Sequence, residues 1–254
     1  MERVTYIIPV YNFDETQELL KKALESLKQM KNAEKNEVFF VGDMDTVSKC
    51  NVLASQKVQI PQIVTMIPTD VTDIFEKINL AVLKCVTPYF SILELDDEFY
   101  PYWNDVAQRY IDKERYSVIL PMNELVTPKD EYAGLANEIA WDAAFVGEEA
   151  LGFVKLEDLL IFKDFYTSGG YIKTEDFISL GKLKPEFKFV AWYEYLLNAA
   201  HEGKKIFVAP RIGYKHAILR DGAYMTEITK TLPREDGIAL MQKAMEKYKP
   251  SKKD

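Results

Sequence analysis

Apolar and polar residues follow two rhythms along this chain. Val4 to Val10 (VTYIIPV) is almost continuously apolar, the pattern of a strand buried on both faces. Pro9 near its end suits a strand terminus. Tyr11-Asn12 turns the chain, and Asp14 with Gln17 forms a capping-box pattern ahead of Leu20, Ala23, Leu24 and Leu27 at helical spacing. Two further strands are predicted over Glu37 to Val41 and Gln62 to Ile67. Thr72 or Asp73 then caps a helix whose stripe is Phe75, Ile78, Val82 and Cys85, with Lys77 and Asn79 off it.

The next strand, from Tyr89, runs into acid. Glu94, Asp96, Asp97 and Glu98 follow Phe90, Ile92, Leu93 and Leu95, and Pro101 reads as the opening of a helix bearing Trp103, Val106 and Tyr110. Such an acid turn has two readings. Asp97 or Glu98 caps the following helix through its dipole. Alternatively the carboxylates, which repel one another and resist ionisation at close range, hold a hard divalent cation such as Mn2+ or Mg2+.

Ser117 to Leu120 is predicted as a strand stopped by Pro121, and Thr127 to Phe153 as long loops able to close over a ligand. The run Thr167-Ser168-Gly169-Gly170 is a loop where backbone can approach a ligand, and Thr174 caps a short helix. Phe189 to Glu202 reads as a helix with an apolar stripe (Tyr193, Leu196, Leu197, Ala200) and a polar one (Glu194, Asn198, His201), ended by Gly203. Ile206 to Ala209 is a strand. Pro210 to Tyr224 reads as a basic loop holding Arg211, Lys215, His216 and Arg220, and a last helix begins at Glu235. The alternation of strands and helices predicts an α/β fold with ligand chemistry at one sheet edge.

Composition narrows the function. The 254 residues are 48% hydrophobic and 28% charged, as in globular proteins, and the net charge of -8 argues against a surface that grips nucleic acid throughout. Two cysteines and two histidines exclude a disulfide framework and a His-rich zinc site. Met1-Glu2-Arg3 leads straight into a strand and no apolar run approaches membrane-spanning length, so the expected location is cytoplasmic, the host cytoplasm for a viral protein.

These pieces together resemble the family 2 glycosyltransferases. The opening Ile7-Ile8-Pro9-Val10-Tyr11-Asn12, the strand end Phe40-Val41-Gly42-Asp43-Met44-Asp45 and the acid motif Glu94-Leu95-Asp96-Asp97 match the family in order. So do Gly169-Gly170-Tyr171 (with Gly181 as a competing match), Gly203-Lys204-Lys205-Ile206 and Tyr214-Lys215-His216. The resemblance implies a single-domain, GT-A-like, mostly parallel sheet flanked by helices. Residues 1-225 would form the catalytic domain (1-122 the nucleotide-sugar half, 123-225 the acceptor half), and 226-254 a C-terminal helix and polar tail.

It also implies roles. Pro9, Tyr11, Asn12, Asp43 and Asp96 would contact the nucleotide sugar, with Lys215 and Arg220 clamping phosphate oxygens. Asp97, with Asp96 and His216, would hold Mn2+ or Mg2+, and Glu194 would be the base in an inverting transfer from a UDP-sugar. The plain alternatives are solvated charge for Lys215, Arg220 and Glu194, a surface histidine for His216, and a buried turn residue for Tyr11. The chain departs from the family at Gly42, at Glu94, and where Ala191-Trp192 replaces an expected Glu-Asp pair. The implied acceptor is a glycan hydroxyl, with a hydroxymethylated phage DNA base as a minority option. Competing functions are a nucleotidyltransferase, which the absence of glycine after the first strand opposes, and a non-catalytic binding module.

Overall fold

A computed structural model describes residues 1–114, 116–138, 152–161, 165–218, 220 and 230–249. The apolar run at the start forms β1 (Val4–Pro9), wholly buried, with α1 (Phe13–Gln29) returning along the sheet. Next come β2 (Glu37–Gly42), α2 (Met44–Val52), β3 (Ile63–Pro68), α3 (Ile74–Val82) and β4 (Tyr89–Ile92). Strand β1 lies between β2 and β4, parallel to both, and β3 is parallel to β2 at the sheet edge.

The second half is more mixed. It holds β5 (Glu98–Phe99), α4 (Trp103–Glu114), β6 (Val118–Val126), β7 (Tyr132–Ala136), β8 (Phe153–Val154), α5 (Leu156–Ile161) and β9 (Tyr171–Lys173). Then follow α6 (Thr174–Ser179), α7 (Ala191–His201), β10 (Ile206–Ala217) and α8 (Arg234–Tyr248). The strand order is β3-β2-β1-β4-β9-β6-β10-β5, with β7 on β6 and β8 on β10. The long β6–β10 pair is parallel, while β9 runs antiparallel between β4 and β6 and joins the halves into one sheet. Apolar cores cover both faces. One packs α1 and α4 on Tyr6, Ile8 and Tyr171; the other packs α3 and α7 on Ile7, Phe90 and Ile172.

Several sequence expectations need correction. The second and third strands are not joined by a plain loop. Asp43 caps α2, accepting from the Thr46 N–H at 2.9 Å, and a π-helical stretch over Leu53–Val58 continues it. Asp14 does not cap α1: Asn12, in the left-handed region at φ 45°, is the N-cap residue. Thr174 caps nothing, because its hydroxyl donates to the Thr87 carbonyl at 2.8 Å. Lys77 is buried rather than off the packed face of α3.

Pro121 does not stop β6. It sits where the pairing with β10 slips, between the Leu120–Val208 and Met122–Ile212 rungs, a bulge that tolerates the missing N–H. For the same reason Pro210 does not end β10, which runs to Ala217, so much of the expected basic loop is strand. The expected loop region after Thr127 begins instead with the β6–β7 hairpin. Its later part, with Trp141, Phe145 and Gly147, and the stretch from Asp221 to Tyr224 lie outside the described residues. The predicted helix from Phe189 starts at Ala191, after a 3-10 turn over Pro185–Val190.

Candidate active site

In a parallel sheet, side chains beyond the carboxyl ends of neighbouring strands meet. Here those ends carry Pro9 to Asn12 after β1, Asp43 after β2 and Glu94 to Asp97 after β4. Strand β10 adds His216 from the other half of the sheet, because β5 pairs antiparallel with it through Tyr214–Phe99 and Lys215–Glu98.

The acid turn is not a helix cap. Helix α4 starts at Trp103, and Asp97 turns inward, 1% exposed. Its Oδ1 accepts from the Ala217 N–H at 2.8 Å, and its Oδ2 lies 2.7 Å from His216 Nδ1. Glu94 Oε1 accepts from the Ser168 hydroxyl at 2.8 Å, and the Glu94 N–H donates to the Tyr214 hydroxyl at 3.1 Å. One ligand atom each from Glu94, Asp97 and His216 lie within 4.8 Å of one another. Asp96 stands beside them, its Oδ2 3.6 Å from Arg220 Nε, and both of these buried atoms lack a hydrogen-bond partner among the described residues.

Burial and mutual repulsion both act on the acids of this group. Burial, then the Asp97 carboxylate, pushes Glu94 up. Burial, then Asp97 and Glu94, pushes Asp96 up to about 7. Burial alone would lower the His216 imidazole, but the Asp97 charge and hydrogen bond, backed by Glu94 and Asp96, raise it to about 9. A divalent cation relieves this repulsion, and a carboxylate–imidazole donor set suits Mn2+. The residues therefore fit the metal that the sequence implies, with Glu94 joining Asp97 and His216 as a third donor group.

The glycine loop supports the centre. Gly169 sits at φ 73°, and a Cβ there would lie 2.4 Å from the Tyr214 ring, so only glycine lets this loop pass. Its carbonyl accepts from the Trp103 indole N–H at 2.9 Å. Ser168 and Tyr214 were not singled out as site residues from sequence, although both lie in motifs that were. Beyond β2, Asp43 is exposed, and the Thr46 N–H bond holds its carboxyl below the usual range. Lys77, also missed, donates from Nζ to the Val10 carbonyl at 3.2 Å, and burial lowers its pKa despite Asp43 nearby.

Glu194 is not brought into this group. It is fully buried at the start of α7, not on a solvated face. Its Oε1 accepts from Lys184 at 2.5 Å, Tyr248 at 2.5 Å and Lys247 at 2.9 Å. Burial alone would raise its pKa, but these three donors bring it below the ordinary value. Lys215 bonds to Glu98 at 3.2 Å, and Arg220 lies between Asp96 and Asp130. No helix among the described residues is long and apolar enough to cross a membrane.

Comparison with known proteins agrees with the fold. Against solved structures, the chain superimposes on S. aureus TarS 1-349 in complex with UDP-GlcNAc with a TM-score of 0.71 at 16% identity, covering 95% of this chain and 65% of that one. The same protein with UDP gives 0.64 at 15% identity, over 85% of this chain and 60% of that one. S. aureus TarS itself gives 0.64 at 15% identity, over 85% of this chain and 37% of that one. The chain thus spans less than two thirds of the length of these three structures, and at such identities the likeness establishes the GT-A-like fold alone. No curated protein matches the sequence. Residues 5–167, well over half the chain, match the family described as "Glycosyl transferase family 2". By that match, the chain belongs to glycosyl transferase family 2.

Proposed function

We propose that this protein transfers a sugar from a UDP-sugar to an acceptor hydroxyl with inversion, with Mn2+ or Mg2+ bound at Glu94, Asp97 and His216. The observation that carries this reading is the convergence of that donor set with Asp96 beyond the carboxyl ends of the strands that also present Tyr11, Asn12 and Asp43. UDP-GlcNAc and UDP, bound to TarS in its structures, motivate the choice of base.

In the reaction, the acceptor oxygen bonds to the anomeric carbon as the bond from that carbon to the diphosphate oxygen breaks. The electron pair leaves with the diphosphate, and the hydroxyl proton goes to a base. Bound metal supplies Lewis-acid neutralisation of the diphosphate. Asp97 is held in place for this by the Ala217 N–H, and Glu94 by Ser168 and Tyr214, so the donor groups are oriented before ligand arrives. Asp43 and Tyr11 contact the nucleoside, and Arg220 beside Asp96 faces the phosphates.

The proton acceptor is a separate matter. The contacts of Glu194 favour an anchor for the C-terminal helix over a base, since three donors already occupy one of its oxygens. The same observation favours, as a second reading, a module that binds nucleotide sugar without turning it over. A DNA acceptor is opposed by the net charge of -8. The test is UDP release from a panel of UDP-sugars in Mn2+, in EDTA and by the Asp97→Asn variant. Metal-dependent release lost in the variant supports the transferase; binding of UDP without release from any donor supports the module.

A further inference from the structure

The cations beside the acid turn gather around a carboxylate that has no place in the motif. Asp130 lies in the turn of the β6–β7 hairpin at φ 62°, its N–H donating to the Thr127 carbonyl at 2.9 Å. Its Oδ2 is 3.2 Å from Lys22 Nζ, and its Oδ1 is 3.5 Å from Lys215 Nζ and 3.9 Å from Arg220 Nη2. These residues come from four separate places: α1, the hairpin, β10 and the segment just after it.

Two features set this apart from an ordinary surface ion pair. The distances to Lys215 and Arg220 exceed those of a charge-assisted hydrogen bond, so the carboxylate bridges the cations loosely. A phosphate, with more oxygens spread over a larger radius, would close those gaps. Lys215 and Arg220 also keep partners on the body of the protein, Glu98 at 3.2 Å and Asp96 at 3.6 Å. The Glu98 hydrogen bond keeps Lys215 in position when Asp130 withdraws, and Arg220 keeps the charge of Asp96 beside it. Asp130 itself is 41% exposed on a hairpin turn, so it leaves at small cost.

We propose that Asp130 is a built-in competitor for phosphate: Lys22, Lys215 and Arg220 form an anion site that the donor's diphosphate occupies by displacing the β6–β7 turn. This rests on the nucleotide-sugar reading for the identity of the anion and extends it with an autoinhibitory contact.

The experiment is calorimetric titration of inorganic diphosphate without metal, and separately of UDP in Mn2+, into the wild-type protein, Asp130→Asn, and Asp130→Asn combined with Lys215→Gln. Losing a competitor held by exposed pairs should tighten inorganic diphosphate binding by about three- to tenfold. The added Lys215→Gln change should reverse the gain, an outcome that a purely structural hairpin contact does not produce. Unchanged or weaker binding in Asp130→Asn overturns the proposal, as does absence of diphosphate binding in all three proteins. The two readings separate cleanly. UDP binding by the wild type with no gain in Asp130→Asn sinks the competitor and keeps the donor site. A gain for diphosphate without any UDP binding keeps the competitor and removes the donor site.

Discussion

Replacing Glu194 separates an anchor from a base. Its carboxylate is fully buried and takes hydrogen bonds from Lys184, Lys247 and Tyr248, so it ties the 3-10 segment before α7 to the C-terminal helix. Breaking a buried charge network by removing one partner costs about 3–5 kcal/mol. Lys247 is 45% exposed and recovers hydration on release, so the lower end applies, about 3 kcal/mol for Glu194→Ala. In a chain of this length that lowers Tm by about 6–12 °C. Tyr248→Phe deletes a single hydroxyl donor and should cost about 1 kcal/mol. Differential scanning calorimetry of the variants, with Glu194→Gln as the near-isosteric control, measures both. A base predicts the opposite profile: Tm held and turnover down by about 100- to 10,000-fold in Glu194→Gln. Glu194→Ala and Glu194→Gln melting with the wild type would refute the anchor.

Other outcomes follow from the same geometry. Gly169→Ala forces a side chain into left-handed backbone and against the Tyr214 ring; it should destabilise by about 2–4 kcal/mol and weaken metal-dependent UDP binding, both read from melting curves with and without Mn2+. In EDTA, stability should fall as pH rises. The His216 imidazole, raised from 6.5 to about 9, contributes fully below about pH 6.5 and loses its contribution through pH 9, while Asp96, raised from 3.8 to about 7, is increasingly penalised as it ionises between those values. His216→Gln should flatten the alkaline part of that profile; a wild-type Tm that climbs from pH 6.5 to 9 without metal would contradict the assignment. Manganese binding near pH 7.5 should release protons, because the imidazole must lose its charge to ligate, and calorimetry in buffers of different ionisation enthalpy detects this.

The parts of the fold that sequence revealed were those with strong local signals. Buried parallel strands are continuous apolar runs, so β1, β2 and β4 stood out, and the acid after β4 stood out because nothing apolar explains it. Helix α2 was missed because only Thr46, Val47 and Cys50 of its nine residues are buried, too few to set a period. Strand β10 was missed beyond Ala209 because Pro210, Gly213 and its charges mimic a loop, while bulges let the ladder absorb them. The burial of Glu194 was not legible for a different reason. The helical wheel placed it correctly beside Asn198 and His201, but the cations that bury it come from Lys184 and Lys247, and spacing along one helix cannot show a partner on another. His216 and Asp97 were each legible as candidates; that they meet at 2.7 Å depends on a long-range strand pairing.

The central claim is a metal-dependent nucleoside diphosphate site at Glu94, Asp97 and His216. Thermal unfolding with excess UDP, first in Mn2+ and then in EDTA, tests it most directly. At free ligand about 100-fold over Kd, binding adds about 2.7 kcal/mol, a rise in Tm of about 5–10 °C. The account predicts that rise in Mn2+, its loss in EDTA and its loss in Asp97→Asn. A rise that survives both EDTA and the substitution, or no rise with any nucleoside diphosphate in Mn2+, would contradict it.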